Sequence, residues 1–261
     1  MKKLGFIGMG NMASAIASGI VKSGFLNGEE IIAFDIAKAQ LDKMQAYNIS
    51  FGTDVKDVVT QSDIVLLAVK PQVIEKVIEP IKDILKNKTI ISIVLGYDYE
   101  KFDTLVDAST RHVFVMPNTP AQVLQGMSLI EEKNSLNSEE LNWIKKLFAS
   151  IGEVEIIPSH LMGVGGALSG CGPAYLYMII EALSDGAVKE GMPRQLAYKL
   201  ASQTVMGAGA MQLQTGIHPG VLKDNVCSPG GSTIRGVQAL ENGNLRATII
   251  DAISASLHYQ K

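Results

Sequence analysis

The sequence predicts an α/β domain with a doubly wound, mostly parallel sheet, followed by an all-α domain. Two patterns predict this arrangement. Up to Pro158, short apolar runs typical of strands alternate with segments in which apolar residues have helical spacing. Beyond Pro158 the strand-like runs stop, and alanine, glycine and methionine recur at helical spacing. We therefore expect a first domain over residues 1–158 and a second over residues 159–261.

The predicted strands of the first domain are apolar on both faces, which is typical of a parallel sheet covered by helices on both sides. These strands lie at 4–7, 31–34, 64–69, 89–94, 113–116, 128–130 and 154–157. The helices predicted between several of them lie at 13–21 (ending near Gly24), 37–47, 72–85 and 138–148.

The second domain is predicted to be entirely helical, with helices at 161–168, 173–190, 194–213, 234–241 and 245–258. Small residues along the second and third of these helices allow close helix approach. About a hundred residues of this composition make a thin independent core. We therefore expect these helices to form an interface between two copies of the chain.

The first predicted strand leads into a glycine-rich fingerprint, because residues 3–13 read KLGFIGMGNMA. In a Rossmann-type dinucleotide-binding domain, Gly8 makes the tight turn, Gly10 lets the backbone approach a pyrophosphate, and Ala13 lets the helix pack closely on the strand. The strand before the motif and the helical run after it supply the required context. The alternative is a plain strand-to-helix turn. We predict that NADH or NADPH binds here, in contact with Ile7, Gly8, Met9, Gly10, Asn11 and Met12.

Asp35 stands at the end of the second predicted strand, 27 residues after Gly8. A carboxylate near this place holds the adenosine ribose in dinucleotide-binding domains. It favours free hydroxyls and repels a 2′-phosphate, so NADH is slightly favoured, although Lys38 could pair with such a phosphate. The alternative is a solvated aspartate that caps the next helix.

Two further segments follow predicted strands, where ligands bind in open parallel sheets. The first is Ala68-Val69-Lys70-Pro71, in which Lys70 either attracts cofactor phosphate or is an ordinary exposed lysine. The second is residues 116–120, a stiff loop that holds Asn118 between two prolines. Such rigidity suits the positioning of a nicotinamide or substrate group, and the alternative is a purely structural loop.

Residues 228–236, SPGGSTIRG, resemble a binding site for a carboxylate. Pro229 ends the preceding segment, and Gly230 and Gly231 allow backbone angles and close approach that a Cβ forbids. Ser232 or Thr233 is predicted to cap the following helix, which leaves its first N–H groups free for an anion. The alternative is an ordinary turn between two helices.

Composition and charge exclude several classes of function. The net charge of −3 supplies no basic stripe for nucleic acid, and the unbroken apolar runs are too short for a membrane span. Cys171 and Cys227 lie 56 residues apart without metal-ligand spacing, so no metal and no disulfide is expected. No hydrolytic triad is visible among the scattered histidines. His218, the nearest to the predicted carboxylate site, is only a weak candidate for a general acid.

These segments occur in order, together with residues 168–175 (LSGCGPAY) and Lys223-Asp224-Asn225, and the chain therefore resembles pyrroline-5-carboxylate reductase from about residue 3 to residue 257. The resemblance implies NAD(P)H-dependent reduction of 1-pyrroline-5-carboxylate to L-proline in the cytoplasm, the last step of proline synthesis. It also implies dimers formed by interleaved C-terminal helices, an active site between the two domains, and larger rings such as a pentamer of dimers.

The resemblance also implies roles for individual residues. The backbone N–H groups of Ser232 and Thr233 would bind the substrate carboxylate, with the Thr233 hydroxyl near the ring nitrogen as the catalytic group. Asn225 would help to form the substrate pocket. The wider substrate-binding and cofactor-binding sets would then include Ser228, Gly230, Gly231, Ala68, Val69, Lys70, Pro71 and Asn118.

The chain departs from the family pattern at three places. Val55 stands where many members have an asparagine for the cofactor ribose, Val94-Leu95-Gly96 stands where small residues often precede the glycine, and Cys171 stands where serine is usual. These departures concern cofactor preference and local packing rather than the class of reaction.

Two alternative functions remain at this point. A β-hydroxyacid dehydrogenase shares the glycine-rich opening and a helical second domain, and Lys189 would then be its catalytic lysine. A non-catalytic nucleotide-binding protein could also be built on the same fold.

Overall fold

The structure is a computed structural model that describes residues 2–258. Within it the chain divides into two compact units, one ending at Gly170 and the other starting at Cys171. The helical segment 159–170 therefore packs with the first unit, whereas the sequence placed the boundary between residues 158 and 159. The outer limits of the two predicted domains, residues 1 and 261, lie outside the described residues.

The first unit contains one eight-stranded sheet in the order β3-β2-β1-β4-β5-β6-β7-β8. Its strands are β1 Lys2–Ile7, β2 Ile31–Phe34, β3 Ser50–Phe51, β4 Ser62–Leu67, β5 Thr89–Ser92, β6 Arg111–Met116, β7 Gly126–Glu131 and β8 Gly152–Ile157. Strands β1 to β6 are parallel, β7 is antiparallel to β6, and β8 is parallel to β7. The predicted fold class, a Rossmann-type and mostly parallel sheet, is confirmed.

The strand order reverses direction between β1 and β4. The chain proceeds from β1 outward to β2 and β3, and then returns to the other side of β1 to form β4, β5 and β6. A crevice opens at such a switch point beyond the carboxyl ends of the strands. The sheet order therefore places the end of β1 at the position where a dinucleotide is expected.

Helices cover both faces of the sheet, because the strands present apolar side chains on both faces. The helices of the first unit are α1 Asn11–Ser23, α2 Lys38–Asp42, α3 Val55–Gln61, α4 Ile74–Ile78, α5 Tyr99–Asp103, α6 Ser138–Ala149 and α7 Ser159–Gly165. Leu4 and Phe6 of β1 belong to one apolar core, which also contains residues of α1 and α6. Ile7 belongs to the other core, with residues of α3 and α4.

Several predicted elements differ from the structure in extent. Strand β3 and helices α3 and α5 were not predicted, since each has seven residues or fewer and little periodic signal. The helix predicted at 72–85 is a short α4 between two 3₁₀ turns, and Pro80 lies in the second turn, where its missing N–H cannot continue a helix. The helix predicted at 37–47 shortens to α2, which buries no residue.

The second unit consists of α8 Gly172–Lys189, α9 Arg194–Thr215, α10 Pro219–Val226, α11 Ser232–Asn242 and α12 Leu245–Leu257. Among its described residues, only Ser184, Ala197 and Ala201 are buried. Large apolar side chains such as Met178 and Leu213 are about 70% exposed (69% and 70%). One copy of this unit therefore does not bury an apolar core of ordinary size.

The helical run Ser159–Lys189 is long and apolar enough to cross a membrane, with a mean hydropathy of 1.2 over 18 residues. No membrane span was expected from the sequence, because only unbroken apolar runs were considered. This segment was not detected, because glycine and serine residues interrupt its apolar run. Length and composition alone do not separate such a helix from one that packs against a second copy of the chain.

Candidate active site

The loop after β1 is held tightly between the ends of two neighbouring strands. The N–H of Gly8 donates to the carbonyl of Phe34 at 2.8 Å, and the N–H of Ala68 donates to the carbonyl of Ile7 at 2.9 Å. Gly8 has a φ of 91°, and a Cβ there would lie 2.7 Å from the Ala68 carbonyl oxygen. Only glycine suits this position, because any side chain would be strained and would clash.

Gly10 has a different reason to be glycine. It precedes α1 with φ −66° and ψ −176°, angles open to any residue, and no side chain caps the helix. An added Cβ at Gly10 would meet no atom within 4 Å. Space is therefore left in front of the free N–H groups at the start of α1, where the helix dipole favours an anion. This cradle fits a dinucleotide pyrophosphate, which a side chain at position 10 would obstruct.

The Asp35 carboxylate connects the end of β2 to the glycine-rich loop. Oδ2 accepts a hydrogen bond from the N–H of Met9 at 2.7 Å, and Oδ1 accepts one from the N–H of Ala37 at 2.8 Å. It does not cap α2, whose N-cap is Ala37. Each carboxylate oxygen can accept two hydrogen bonds, so the half-buried group keeps capacity for two further donors. Such capacity suits ribose hydroxyls.

The segment after β4 presents one cation at the same edge of the sheet. Ala68 and Val69 are half-buried, while Lys70 is exposed. Pro71 opens a 3₁₀ turn, Pro71–Val73, before α4 begins. Among the ion pairs of residues 2–258, none involves Lys70. Its ammonium can therefore attract an anion near the crevice, and the assignment to cofactor phosphate stays a prediction.

Asn118 follows β6 and is nearly buried, at 7% exposure. Its Oδ1 accepts a hydrogen bond from the N–H of Met127 at 2.8 Å, and its Nδ2 donates to the carbonyl of Ser169 at 3.0 Å. Ser169 belongs to the π-helical turn Gly166–Gly170. The side chain thus ties three segments together and has one N–H left for a ligand. The bond to Ser169 is not visible in the sequence, because the two residues are 51 positions apart.

In the second unit, the turn before α11 differs from its prediction in one respect. The cap of α11 is Gly231, with φ −70° and ψ 175°, whereas Ser232 and Thr233 are the first residues of the helix. The prediction that one of these two hydroxyl residues caps α11 was therefore wrong. A Cβ at Gly231 would overlap the Ser228 hydroxyl and lie 3.1 Å from the Ser228 carbonyl oxygen, so a side chain there would require Ser228 to move. The first N–H groups of α11 are left without a side-chain partner, which suits a carboxylate.

The residues of this turn are accessible. Gly230 has a φ of 67°, and the N–H of Gly231 donates to the carbonyl of Ser228 at 3.0 Å. Ser228, Ser232 and Thr233 are exposed in the single chain. Asn225, also exposed, lies in the last turn of α10. The predicted substrate-binding residues thus form one short stretch of the second unit.

His218 has a structural role at the start of α10. Its Nδ1 accepts a hydrogen bond from the N–H of Gly220 at 3.0 Å and caps the helix. An imidazole nitrogen that accepts a hydrogen bond carries no proton. In the neutral ring the proton then lies on Nε2, so any proton donation by His218 would come from Nε2, and its role as a general acid stays a prediction.

The structure brings the predicted cofactor residues together within the first unit, since residues 7–12, Asp35, residues 68–71 and Asn118 all lie at or just beyond the carboxyl ends of parallel strands. Two further side chains at this edge were not predicted. Ile36 after β2 is 94% exposed, and Leu95 beyond β5 is 55% exposed. A large apolar residue within three positions of the end of a buried strand is the signal that could have indicated them. Across residues 2–258, no group of three or more potential metal ligands occurs.

Known protein families match both the first and the second part of the chain. The family model for pyrroline-5-carboxylate reductase dimerisation matches residues 159–261, and the model for NADP oxidoreductase, coenzyme F420-dependent, matches residues 3–96. The chain is 41% identical over 254 residues to pyrroline-5-carboxylate reductase of Methanosarcina acetivorans, covering 97% of this chain and 94% of that protein. It is 38% identical over 258 residues to the Escherichia coli enzyme, covering 97% and 95%.

Solved structures give the same result. The Plasmodium falciparum pyrroline carboxylate reductase with NADP bound has a TM-score of 0.90 at 33% identity, covering 98% of this chain and 95% of that chain. The Coxiella burnetii pyrroline-5-carboxylate reductase has a TM-score of 0.85 at 32% identity, covering 98% and 96%.

Proposed function

This chain belongs to the pyrroline-5-carboxylate reductase family, and from that premise we infer that it reduces 1-pyrroline-5-carboxylate to L-proline with NAD(P)H, the last step of proline biosynthesis. The structural observation that supports the assignment is that two helices of this chain begin at a glycine without a side-chain cap. The start of α1 suits a pyrophosphate and the start of α11 suits a carboxylate.

When bound, NAD(P)H supplies a hydride to the carbon of the substrate C=N bond and is oxidised to NAD(P)⁺. The chain holds that cofactor through the N–H groups at the start of α1, through Asp35 at the ribose and through Lys70 near phosphate. The full proposed cofactor-binding set is Ile7, Gly8, Met9, Gly10, Asn11, Met12, Asp35, Ala68, Val69, Lys70, Pro71 and Asn118.

On the substrate side, the N–H groups of Ser232 and Thr233 bind the carboxylate of the pyrroline. Thr233 is the second residue of α11. Its hydroxyl lies near the ring nitrogen of the substrate and accepts a hydrogen bond from the protonated imine, which makes the imine carbon electrophilic. The proposed substrate-binding set is Asn225, Ser228, Gly230, Gly231, Ser232 and Thr233. Binding and orientation carry most of the catalysis, because hydride transfer to a protonated imine requires no strong base.

The chain forms a homo-oligomer through its dimerisation domain. For the finer assembly, we propose a dimer formed by the helices of residues 159–261, further assembled as a pentamer of dimers in the cytoplasm, with no membrane span and no nucleic-acid partner. The exposed apolar side chains of α8 and α9 support this proposal, because helices that pack against a second copy need such a surface.

The activity is tested by incubating the purified chain with 1-pyrroline-5-carboxylate and each reduced cofactor. We expect one L-proline, identified by mass spectrometry, for each cofactor oxidised. Turnover of β-hydroxy acids without proline formation would instead establish a β-hydroxyacid dehydrogenase. Tight cofactor binding without turnover of either substrate would identify a non-catalytic homologue.

A further inference from the structure

We propose that this chain binds NADH in preference to NADPH and that Asp35 is the residue that sets this specificity. The proposal deepens the reductase function inferred above and rests on it. It starts from one juxtaposition, which is the hydrogen bonding of the Asp35 carboxylate to the loop that is expected to hold the cofactor pyrophosphate.

The Asp35 carboxylate is fixed in position. Its two oxygens accept hydrogen bonds from the N–H groups of Met9 and Ala37, and the Met9 side chain is fully buried in the core beneath the loop. If the carboxylate swung aside to admit a phosphate, both N–H groups would lose their partner. The negative charge therefore stays at the end of β2 when a cofactor binds.

The free capacity of Asp35 distinguishes a hydroxyl from a phosphate. Its remaining lone pairs accept hydrogen bonds, and the 2′- and 3′-hydroxyls of an adenosine ribose donate them. A 2′-phosphate carries negative charge and offers only acceptor oxygens. It is therefore repelled by the fixed carboxylate and cannot donate a hydrogen bond to it. The same group that binds NADH therefore opposes NADPH.

No arginine is close to Asp35 in sequence to offset that repulsion. Asp54 caps α3 beside the end of β3, and hydrogen bonds, first from Thr53 N–H and then from Gln61, hold the pKa of Asp57 below its usual value. The cations close to Asp35 and Asp54 in sequence are the exposed lysines Lys38 and Lys56. No arginine precedes Arg111 in the sequence, so strands β1 to β5 and their connections contain no guanidinium that could bind a phosphate in a bidentate manner.

The preference for NADH is not inferred from similar proteins. The similar Plasmodium falciparum structure has NADP bound, and the model that matches residues 3–96 is described as an NADP oxidoreductase. The inferred preference is therefore a property of this chain's own residues.

The test uses isothermal titration calorimetry of the full-length oligomer with NADH and with NADPH, alongside kcat/KM for both. We expect NADH to bind more tightly by about tenfold or more, as one fixed charge in a half-buried site requires. In Asp35→Ser the difference should shrink to about twofold or less. Equal or tighter binding of NADPH by the unmodified chain would overturn the proposal.

Replacing Asp35 also removes its hydrogen bond to the glycine-rich loop. A second variant therefore keeps Asp35 and changes its neighbour. Ile36→Arg adds a cation at a side chain that is 94% exposed, which leaves the core untouched. We expect NADPH binding to strengthen by about tenfold while NADH binding changes by less than about twofold. An equal gain for both cofactors would contradict the assignment of the 2′-position to this edge.

Asp83→Asn is the matched control, because it removes the same charge from an exposed carboxylate between α4 and β5, paired only with Lys86 among the described ion pairs. It should leave both dissociation constants unchanged. The two proposals also fail separately. Equal use of both cofactors with proline formed would refute the preference alone, whereas selective NADH binding without proline formation would refute the reductase function alone.

Discussion

Helices α1 and α11 both begin at a glycine without a side-chain cap, yet their surroundings differ. The loop before α1 is bonded to the ends of β2 and β4 and to Asp35, and Met9 within it is fully buried. The turn before α11 is closed by one backbone hydrogen bond to Ser228 and is exposed. We therefore expect the proposed pyrophosphate site to be complete within one chain, and the proposed carboxylate site to need further surface to exclude water.

The same contrast holds for the two units as a whole. The first unit has apolar cores on both faces of its sheet, while α10, α11 and α12 bury no described residue. The proposed substrate-binding stretch thus lies in the unit that buries few residues within one chain. We expect changes to assembly to affect catalysis far more than cofactor binding.

The largest effect is expected from charges placed on the exposed apolar face of α9. Met206 and Leu213 lie seven residues apart, on one side of the helix, and are 57% and 70% exposed. The double variant Met206→Glu/Leu213→Glu should dissociate the oligomer and lower proline formation by about a hundredfold or more. Light scattering and calorimetry should show smaller particles that still bind NADH within about twofold of the unmodified chain.

Lys199→Glu is the control on the same helix, because it reverses a charge at a position that is already polar and exposed. It should leave the particle mass unchanged. Loss of NADH binding in the dissociated double variant would contradict the view that the first site is complete within one chain.

A pair of glycine variants distinguishes folding from binding at the α1 loop. Gly8→Ala should lower the free energy of unfolding by about 2–4 kcal/mol, since φ is positive and the methyl group approaches the Ala68 carbonyl. Gly10→Ala should change that free energy by less than about 0.5 kcal/mol, because nothing in the chain meets the added methyl. It should still weaken NADH binding by about tenfold.

Urea unfolding and calorimetry measure the two quantities. If Gly10→Ala bound NADH normally, the open space before α1 would not be the pyrophosphate cradle.

A smaller effect is expected at the start of α11. Thr233→Ala should lower kcat/KM by the equivalent of about 1–3 kcal/mol, because a hydrogen bond to a charged substrate is lost. The melting temperature should not change, since the side chain is exposed and has no hydrogen-bond partner among the described residues. Thr233→Ser keeps the hydroxyl and should recover most of the activity. Unchanged kinetics in Thr233→Ala would remove this residue from the mechanism.

The smallest effect concerns His112, at the edge of the sheet where the parallel strands begin. Burial lowers its pKa, although Asp103, 3.0 Å from Nε2, opposes this shift. The unfolded state therefore takes up protons more readily below about pH 6.5. The stability contributed by neutral His112 is present above that pH and is lost as the pH falls through the folded pKa, with a slope of at most about 1.4 kcal/mol per pH unit.

Chemical unfolding at several pH values between 5 and 8 measures this dependence. His112→Phe removes the titrating group and should flatten the curve in that window, whereas the carboxylates with lowered pKa lose their stabilisation only in stronger acid. A curve that stays equally steep in the variant would assign the dependence to another group.

The fold class could be predicted because apolar runs and helical spacing persist along whole elements, and the glycine spacing of the first loop is specific in its context. Short elements such as β3 and α5 leave little periodic signal. The bond of Asp35 to Met9 joins residues 26 positions apart, and the clasp of Asn118 on Ser169 spans 51. No local pattern encodes such contacts. The cap of α11 was misassigned because hydroxyl residues usually lead glycine as caps, while the close approach of Ser228 is visible only in three dimensions.

The dual engagement of Asp35 constrains how this enzyme can change during evolution. A substitution that removed the carboxylate to admit a different coenzyme would also release the backbone of Met9 and slacken the entire nucleotide cradle. A lineage that switches coenzyme is therefore expected to acquire new side chains around this position, beginning at solvent-facing neighbours such as Ile36, before Asp35 itself is replaced.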